Sequence, residues 1–151
     1  MIFVTIGTGK FEALVKEIDA IALKLKDKIT IQLGSGSYKP KNSKWFTFAP
    51  DLSKYYKQAD LIISHGGPGT VFEILETGKR FIACANVNRT DPRHQVEFLE
   101  AISKETNGLI YCTDLKDLYS IIQKAKKQKF ARYKKPPCWM DKIVREFVNE
   151  N

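Results

Sequence analysis

Histidine and cysteine are scarce in this sequence, and neither forms a pattern that metal or redox chemistry needs. The two histidines, His65 and His94, have no third ligand at a recognisable spacing, so no metal cofactor is expected. The three cysteines, Cys84, Cys112 and Cys138, are far apart and form no CxxC, which argues against both a disulfide framework and a zinc site. No apolar run approaches the ~20 residues that span a bilayer. A strand already beginning at Ile2 leaves no room for a signal peptide, so the expected location is the cytoplasm. Arginine is thin as well. Only five of the 25 Lys+Arg residues are arginine, and arginine is the better bidentate reader of bases and phosphates. With no RRM, KH or helix-turn-helix pattern either, a nucleic-acid partner is not expected.

What is present is an ordinary globular composition, 43% hydrophobic over 151 residues, with a net charge of +8. That excess gives a general attraction to anionic surfaces. Short β-branched runs at 2–7, 29–33, 45–48, 60–64, 80–85 and 108–112 predict strands. Between them, apolar residues at helical spacing predict helices over 10–25, 69–78, 92–105 and 114–127, with a short one from Pro50-Asp51 to Tyr56. Asp114 is the expected N-cap of the last of these. A further helix is expected from Trp139 to about Val148, after a basic stretch at 124–135 and the Pro136-Pro137 break. Strands alternating with helices imply an α/β fold: a single Rossmann-like, doubly wound parallel-sheet domain over 1–151, with 124–151 as basic tail and terminal helix.

Ligands of such sheets bind at the carboxyl ends of the strands. Three glycine corners follow strands and should share that edge: "GTG" (7–9), "GSGS" (34–37) and "HGGPG" (65–69). "GTGK" is not a Walker A loop, because Phe11 follows Lys10. It is not a dinucleotide fingerprint either, because Glu12 holds the third glycine position and Gln32-Leu33-Gly34 close the second strand without an acid. "HGGPGTVFE" carries more information. The backbone of Gly66, Gly67 and Gly69 precedes a helix, Thr70 adds a hydroxyl, and the helix dipole favours an anion there. Glu73, one turn further, either complements that dipole or accepts two hydrogen bonds from a sugar diol. "NRTDPRHQ" (88–95) enters the next helix at the same edge.

The stretch "HGGPGTVFEILETGKRFIACANVNRTDPRHQVEFLEAI" (65–102) resembles the nucleotide-sugar signature of GT-B glycosyltransferases. A glycine-rich turn, a Ser/Thr, a Glu three residues on and a downstream "HQ" follow in the family's order. The likeness is to the C-terminal half of MurG-like enzymes, and more closely to stand-alone small subunits of two-part glycosyltransferases. "IFVTIGTGKFEALVKEID" matches the start of those subunits, so the resemblance runs from residue 1 to about 125. Arg80 stands where the family has proline, and Pro68 removes one amide donor from the turn. The resemblance implies that Gly7, Thr8 and Gly9 line the diphosphate, and that Phe48 and Ala49 meet uracil through their backbone. It places phosphate on Gly66, Gly67, Gly69 and Thr70, the ribose on Glu73, and the transferred sugar at Asp91, His94 and Gln95. Asp91 and His94 are the candidate catalytic pair. His65 fits either the phosphate or a structural hydrogen bond. A UDP-sugar is then the donor, with no cofactor or metal, and a membrane-anchored partner subunit presents a lipid-linked acceptor at the inner face of the membrane. The rival reading is a non-catalytic enhancer subunit docked on a membrane-associated transferase.

Overall fold

The computed structural model describes residues 1–88 and 92–134. Twelve elements follow one another: β1 (Ile2–Thr5), α1 (Glu12–Leu25), β2 (Ile29–Gln32), β3 (Lys44–Phe46), α2 (Ser53–Gln58), β4 (Leu61–His65), α3 (Pro68–Thr77), β5 (Arg80–Cys84), α4 (Pro92–Glu105), β6 (Ile110–Cys112), a 3-10 turn (Leu115–Asp117) and α5 (Leu118–Lys127). All strand pairs are parallel and the spatial order is β3-β2-β1-β4-β5-β6. This is the doubly wound order, whose switch point falls between β1 and β4. The chain leaves β1 towards one edge of the sheet and leaves β4 towards the other, opening a crevice at their carboxyl ends.

The period of two along each strand divides the core. Ile2 and Val4, Leu61 and Ile63, and Ile82 and Cys84 face α1 and α5. Phe3, Ile62, Phe81 and Ala83 face the opposite layer, built from Tyr56, Val71, Ile74, Leu75, Leu99 and Ile102. Strands buried on both faces read as continuous apolar runs, which is why they were legible. Phe3 anchors an aromatic stack with Tyr55 (5.1 Å), and Tyr55 stacks in turn on Phe46 (4.7 Å).

The boundaries differ from expectation where side chains intervene. The first strand stops at Thr5 rather than residue 7, because Gln32 replaces the ladder there. Its Oε1 accepts from Thr5 Oγ1 (2.7 Å) and the Gly7 amide (3.0 Å), while Nε2 donates to Gly7 O (2.7 Å) and Thr47 O (3.0 Å). One buried amide therefore ties the ends of β1, β2 and β3 together. The short second helix begins at Ser53, not Pro50-Asp51, because Asp51 accepts from the Ser53 amide (2.8 Å) and hydroxyl (2.7 Å) ahead of it. Asp114 caps the 3-10 turn through the Lys116 amide (2.9 Å), and α5 starts only at Leu118.

The basic tail is also placed differently. Its aromatics do not turn away from the domain. Phe130 packs on the α1/α5 core, the Ala131 amide donates to Asn107 O (3.1 Å), and Tyr133 lies 5.8 Å from the Phe72 ring. The expected helix from Trp139 to Val148 lies outside the described residues. Cys84 and Cys112 are buried free thiols at paired register positions. Among the described residues no helix is long and apolar enough to cross a membrane.

Candidate nucleotide-sugar site

A cavity of about 440 Å³ opens at the switch point, lined by Ile6, Gly7, Thr8, Gly9, Lys10, His65, Thr70, Asn86 and Asn88. The carboxyl ends of β1, β4 and β5 supply it. The glycines around it divide into two kinds. A Cβ on Gly7, whose φ is +70°, would sit 2.8 Å from His65 Nε2; on Gly67 it would sit 2.3 Å from His65 Cε1; on Gly66, 2.7 Å from Leu99 Cδ1. These three are glycine because the protein itself occupies the space. Gly9 and Gly69 meet nothing within 4 Å. Nothing internal requires glycine at these two positions, and both leave the backbone open to an incoming ligand.

The amides divide in the same way. The Gly66 amide donates to Gln95 Oε1 (3.1 Å) and the Gly67 amide to His65 Nδ1 (3.0 Å). Pro68 has no amide, and Val71 already bonds Gly67 O (3.0 Å). The donors that precede the first intrahelical bond of α3 are therefore Gly69 and Thr70. This corrects the expectation for Gly66 and Gly67, whose amides are engaged within the protein. The amides left open at the start of α3 are fewer than the five-residue corner suggested, and lie one step further along the chain.

Gln95 is corrected too. It is 2% exposed, and its Oε1 accepts from both Gly66 and Asn86 (2.9 Å). It holds the two loops beside the cavity and does not present that oxygen to a sugar. A buried amide donor stripped of its partner costs about 1–3 kcal/mol, so this one oxygen secures much of the corner. Asn86 extends the bracing, its Nδ2 donating to Lys10 O (2.8 Å) across the mouth of the site.

His65 makes the structural hydrogen bond. Because Nδ1 accepts from Gly67, the proton belongs on Nε2, the atom facing Gly7 and the cavity. Thr8 and Thr70 line the cavity. Glu73 is exposed one turn along α3, outside the lining, and its charge adds to burial in pushing the Tyr56 hydroxyl above its usual range. Phe48, 67% exposed, and Ala49 follow β3 at the same edge. Thr47 O fixes their start by accepting from the Gly34 amide (3.0 Å). Neither lines the cavity. His94 is exposed in the first turn of α4, and Asp91 lies outside the described residues.

Lys10, Asn86 and Asn88 line the cavity but were not among the expected site residues. Lys10 was passed over with the failed Walker pattern, although a cation beside "GTG" suits a phosphate without that motif. Asn86 carried a readable signal, as the first polar side chain after β5 at the ligand-binding edge. Among the described residues no group of three or more His, Cys, Asp or Glu could hold a metal ion.

The model of the glycosyltransferase family 28 C-terminal domain matches residues 1–147. The chain belongs to that family. The family 28 chain is 33% identical over 124 residues to the mouse UDP-N-acetylglucosamine transferase subunit ALG13, covering 74% of this chain and 10% of the relative. It is 29% identical over 119 residues to the Yarrowia lipolytica protein of the same name, covering 69% and 60%. It thus spans about a tenth of the length of the mouse relative. Its fold is similar to the NMR structure of ALG13 (TM-score 0.58, 19% identity, 87% of each chain). It is also similar to the glycotransferase of kitacinnamycin (TM-score 0.61, 16% identity, 84% of this chain and 35% of that one). The Rossmann-like reading and the resemblance to GT-B donor domains agree with these likenesses.

Proposed function

We propose that the chain is the donor-binding, catalytic subunit of a two-part glycosyltransferase. It would take a UDP-sugar at the β1/β4 crevice, and UDP-N-acetylglucosamine is the first donor to test, given what the ALG13 relatives are named for. The observation that carries the reading is the cavity at the β1/β4 switch point, lined by Gly9, Lys10, His65 and Thr70. In the reaction an acceptor hydroxyl attacks the sugar's anomeric carbon, and the bond from that carbon to the β-phosphate oxygen breaks. The departing diphosphate gains negative charge, which in this reading the Gly69 and Thr70 amides, the α3 dipole and Lys10 would offset. The acceptor's proton must go to a base. In this reading a membrane-anchored partner presents a lipid-linked acceptor, and either that partner or the Asp91/His94 pair would supply the base. The two subunits would work at the cytoplasmic face of the membrane.

Calorimetry with UDP and UDP-N-acetylglucosamine, with and without EDTA, tests the donor site. Binding is expected in both conditions. Lys10→Met and Thr70→Ala should each weaken it by about 1.5–3 kcal/mol, roughly 10- to 150-fold. Unaltered affinity in both variants would remove the diphosphate from this cavity. The same variants test a second reading, a non-catalytic enhancer subunit. If activity reconstituted with the partner survives loss of UDP binding in Lys10→Met/Thr70→Ala, the enhancer reading replaces the catalytic one.

A further inference from the structure

The edge opposite the donor cavity carries a separate feature. In a parallel sheet every strand begins at one edge, and every helix ends there. The amide of Ile2 donates to Lys28 O and that of Asp60 to Met1 O (both 2.9 Å), while Leu61 is paired with Arg80. Lys28, the chain's amino group, Asp60 and Arg80 therefore succeed one another across β2, β1, β4 and β5. A cavity of about 400 Å³ at this edge brings Lys79, Arg80 and Lys129 together. Arg132 lies beside it, its Cγ 3.8 Å from where a Cβ on Gly78 would stand.

Two acidic side chains near these cations are already spent. Asp60 pairs with the Met1 ammonium and Asp27 with Lys126. Lysines at helix C-termini complement the helix dipole, which accounts for Lys24, Lys57 and Lys127 without any ligand. It does not account for Lys28, Arg80 and Lys129, which are exposed and lie outside helices. Nor does it account for Leu23. That side chain, 74% exposed on the last turn of α1, directly precedes Lys24 and is the most exposed large hydrophobic among the described residues.

We propose that this basic edge, with Leu23 as an apolar contact, docks on an anionic phospholipid surface. An apolar side chain set among lysines suits the boundary between headgroups and acyl chains. A nucleic-acid surface would instead favour arginine forks and aromatic platforms. The site is independent of the donor cavity, which lies at the other end of every strand.

The test is flotation of the full chain with phosphatidylcholine vesicles, with and without phosphatidylglycerol, at low and high salt. Binding is expected only to the anionic vesicles and only at low salt, since exposed charges are screened beyond about 10 Å at 0.1 M. Lys28→Gln/Arg80→Gln/Lys129→Gln should lower partitioning by roughly tenfold to hundredfold, from about 1 kcal/mol per basic residue near the surface. Leu23→Ser should lower it several-fold with no change of charge. Unchanged flotation of the triple variant overturns the proposal. So does an unchanged Leu23→Ser variant, or binding of a single-stranded oligonucleotide under conditions where vesicles are ignored. UDP calorimetry on the same samples keeps the two sites apart. Loss of flotation with UDP affinity intact supports the lipid edge. Failure of the unaltered chain to bind UDP defeats the donor reading and leaves the flotation result standing.

Discussion

At Gly67 and Gly69 the same residue type serves opposite ends, and substitution separates them. Alanine at Gly67 would press a Cβ to 2.3 Å from His65 Cε1 and 2.8 Å from Nδ1, so the ring must move. Overpacking of this kind costs about 1–3 kcal/mol and would displace the cavity-facing Nε2 as well. Alanine at Gly69 meets no protein atom within 4 Å and lies within α3, where it favours the helix by about 0.5–1 kcal/mol over glycine. The expected outcomes differ in sign. Gly67→Ala lowers both stability and UDP affinity, whereas Gly69→Ala keeps or raises stability and lowers affinity alone. Urea denaturation and calorimetry on the two proteins measure this directly, and undiminished UDP affinity in Gly69→Ala would take that backbone out of the site.

Between elements, polar side chains decide how the loops at the ligand edge are held. Gln32 ties β1 to β3 and Gln95 ties the β4 and β5 corners, while Glu12 binds the start of α1 to the "GSGS" loop. Glu12 Oε1 accepts from the Ser37 hydroxyl (2.6 Å) and amide (2.9 Å). The hydroxyl, then the amide, draw its pKa down from 4.5 to about 2. A carboxylate whose folded pKa is lowered contributes its contact fully above the unfolded value. The clamp should therefore be whole above pH 4.5 and be lost as the pH falls through about 2. The Ser37 amide shift, followed by NMR, is expected to titrate with that low midpoint. In Ser37→Ala the Glu12 midpoint should rise towards its ordinary value. A midpoint that stays put in Ser37→Ala would show that another group holds the carboxylate.

Across the whole molecule, the segment after α5 closes the domain. Phe130 and Tyr133 were expected to serve a partner or a membrane, but they pack against the two cores, and the chain is pinned at Ala131. Phe130 is half-buried, so removing its ring should cost about 1–2 kcal/mol, less than full burial of such a side chain is worth. Chemical denaturation of Phe130→Ala checks this, together with pull-down by a partner subunit. Full stability with pull-down lost would restore the docking role.

Alternation of strand and helix, the parallel sheet and the edge shared by the glycine corners were all legible in the sequence, because each rests on local periodicity. Apolar runs such as "DLIIS" and "RFIACA" can only be strands buried on both faces, and their spacing by helices leaves little choice of topology. The glycine corners were legible as corners for the same reason. Which glycine faces the protein and which faces open space was not, since that depends on His65 and Leu99 coming into place around the corner. The inward turn of Gln95, the bracing by Asn86 and the entry of Lys10 into the cavity likewise required the three loops to be brought together. A hydrogen bond across many residues leaves no period in the sequence. Only the packed sheet, by setting strand ends about 5 Å apart, decides which polar groups meet and which remain open to a ligand.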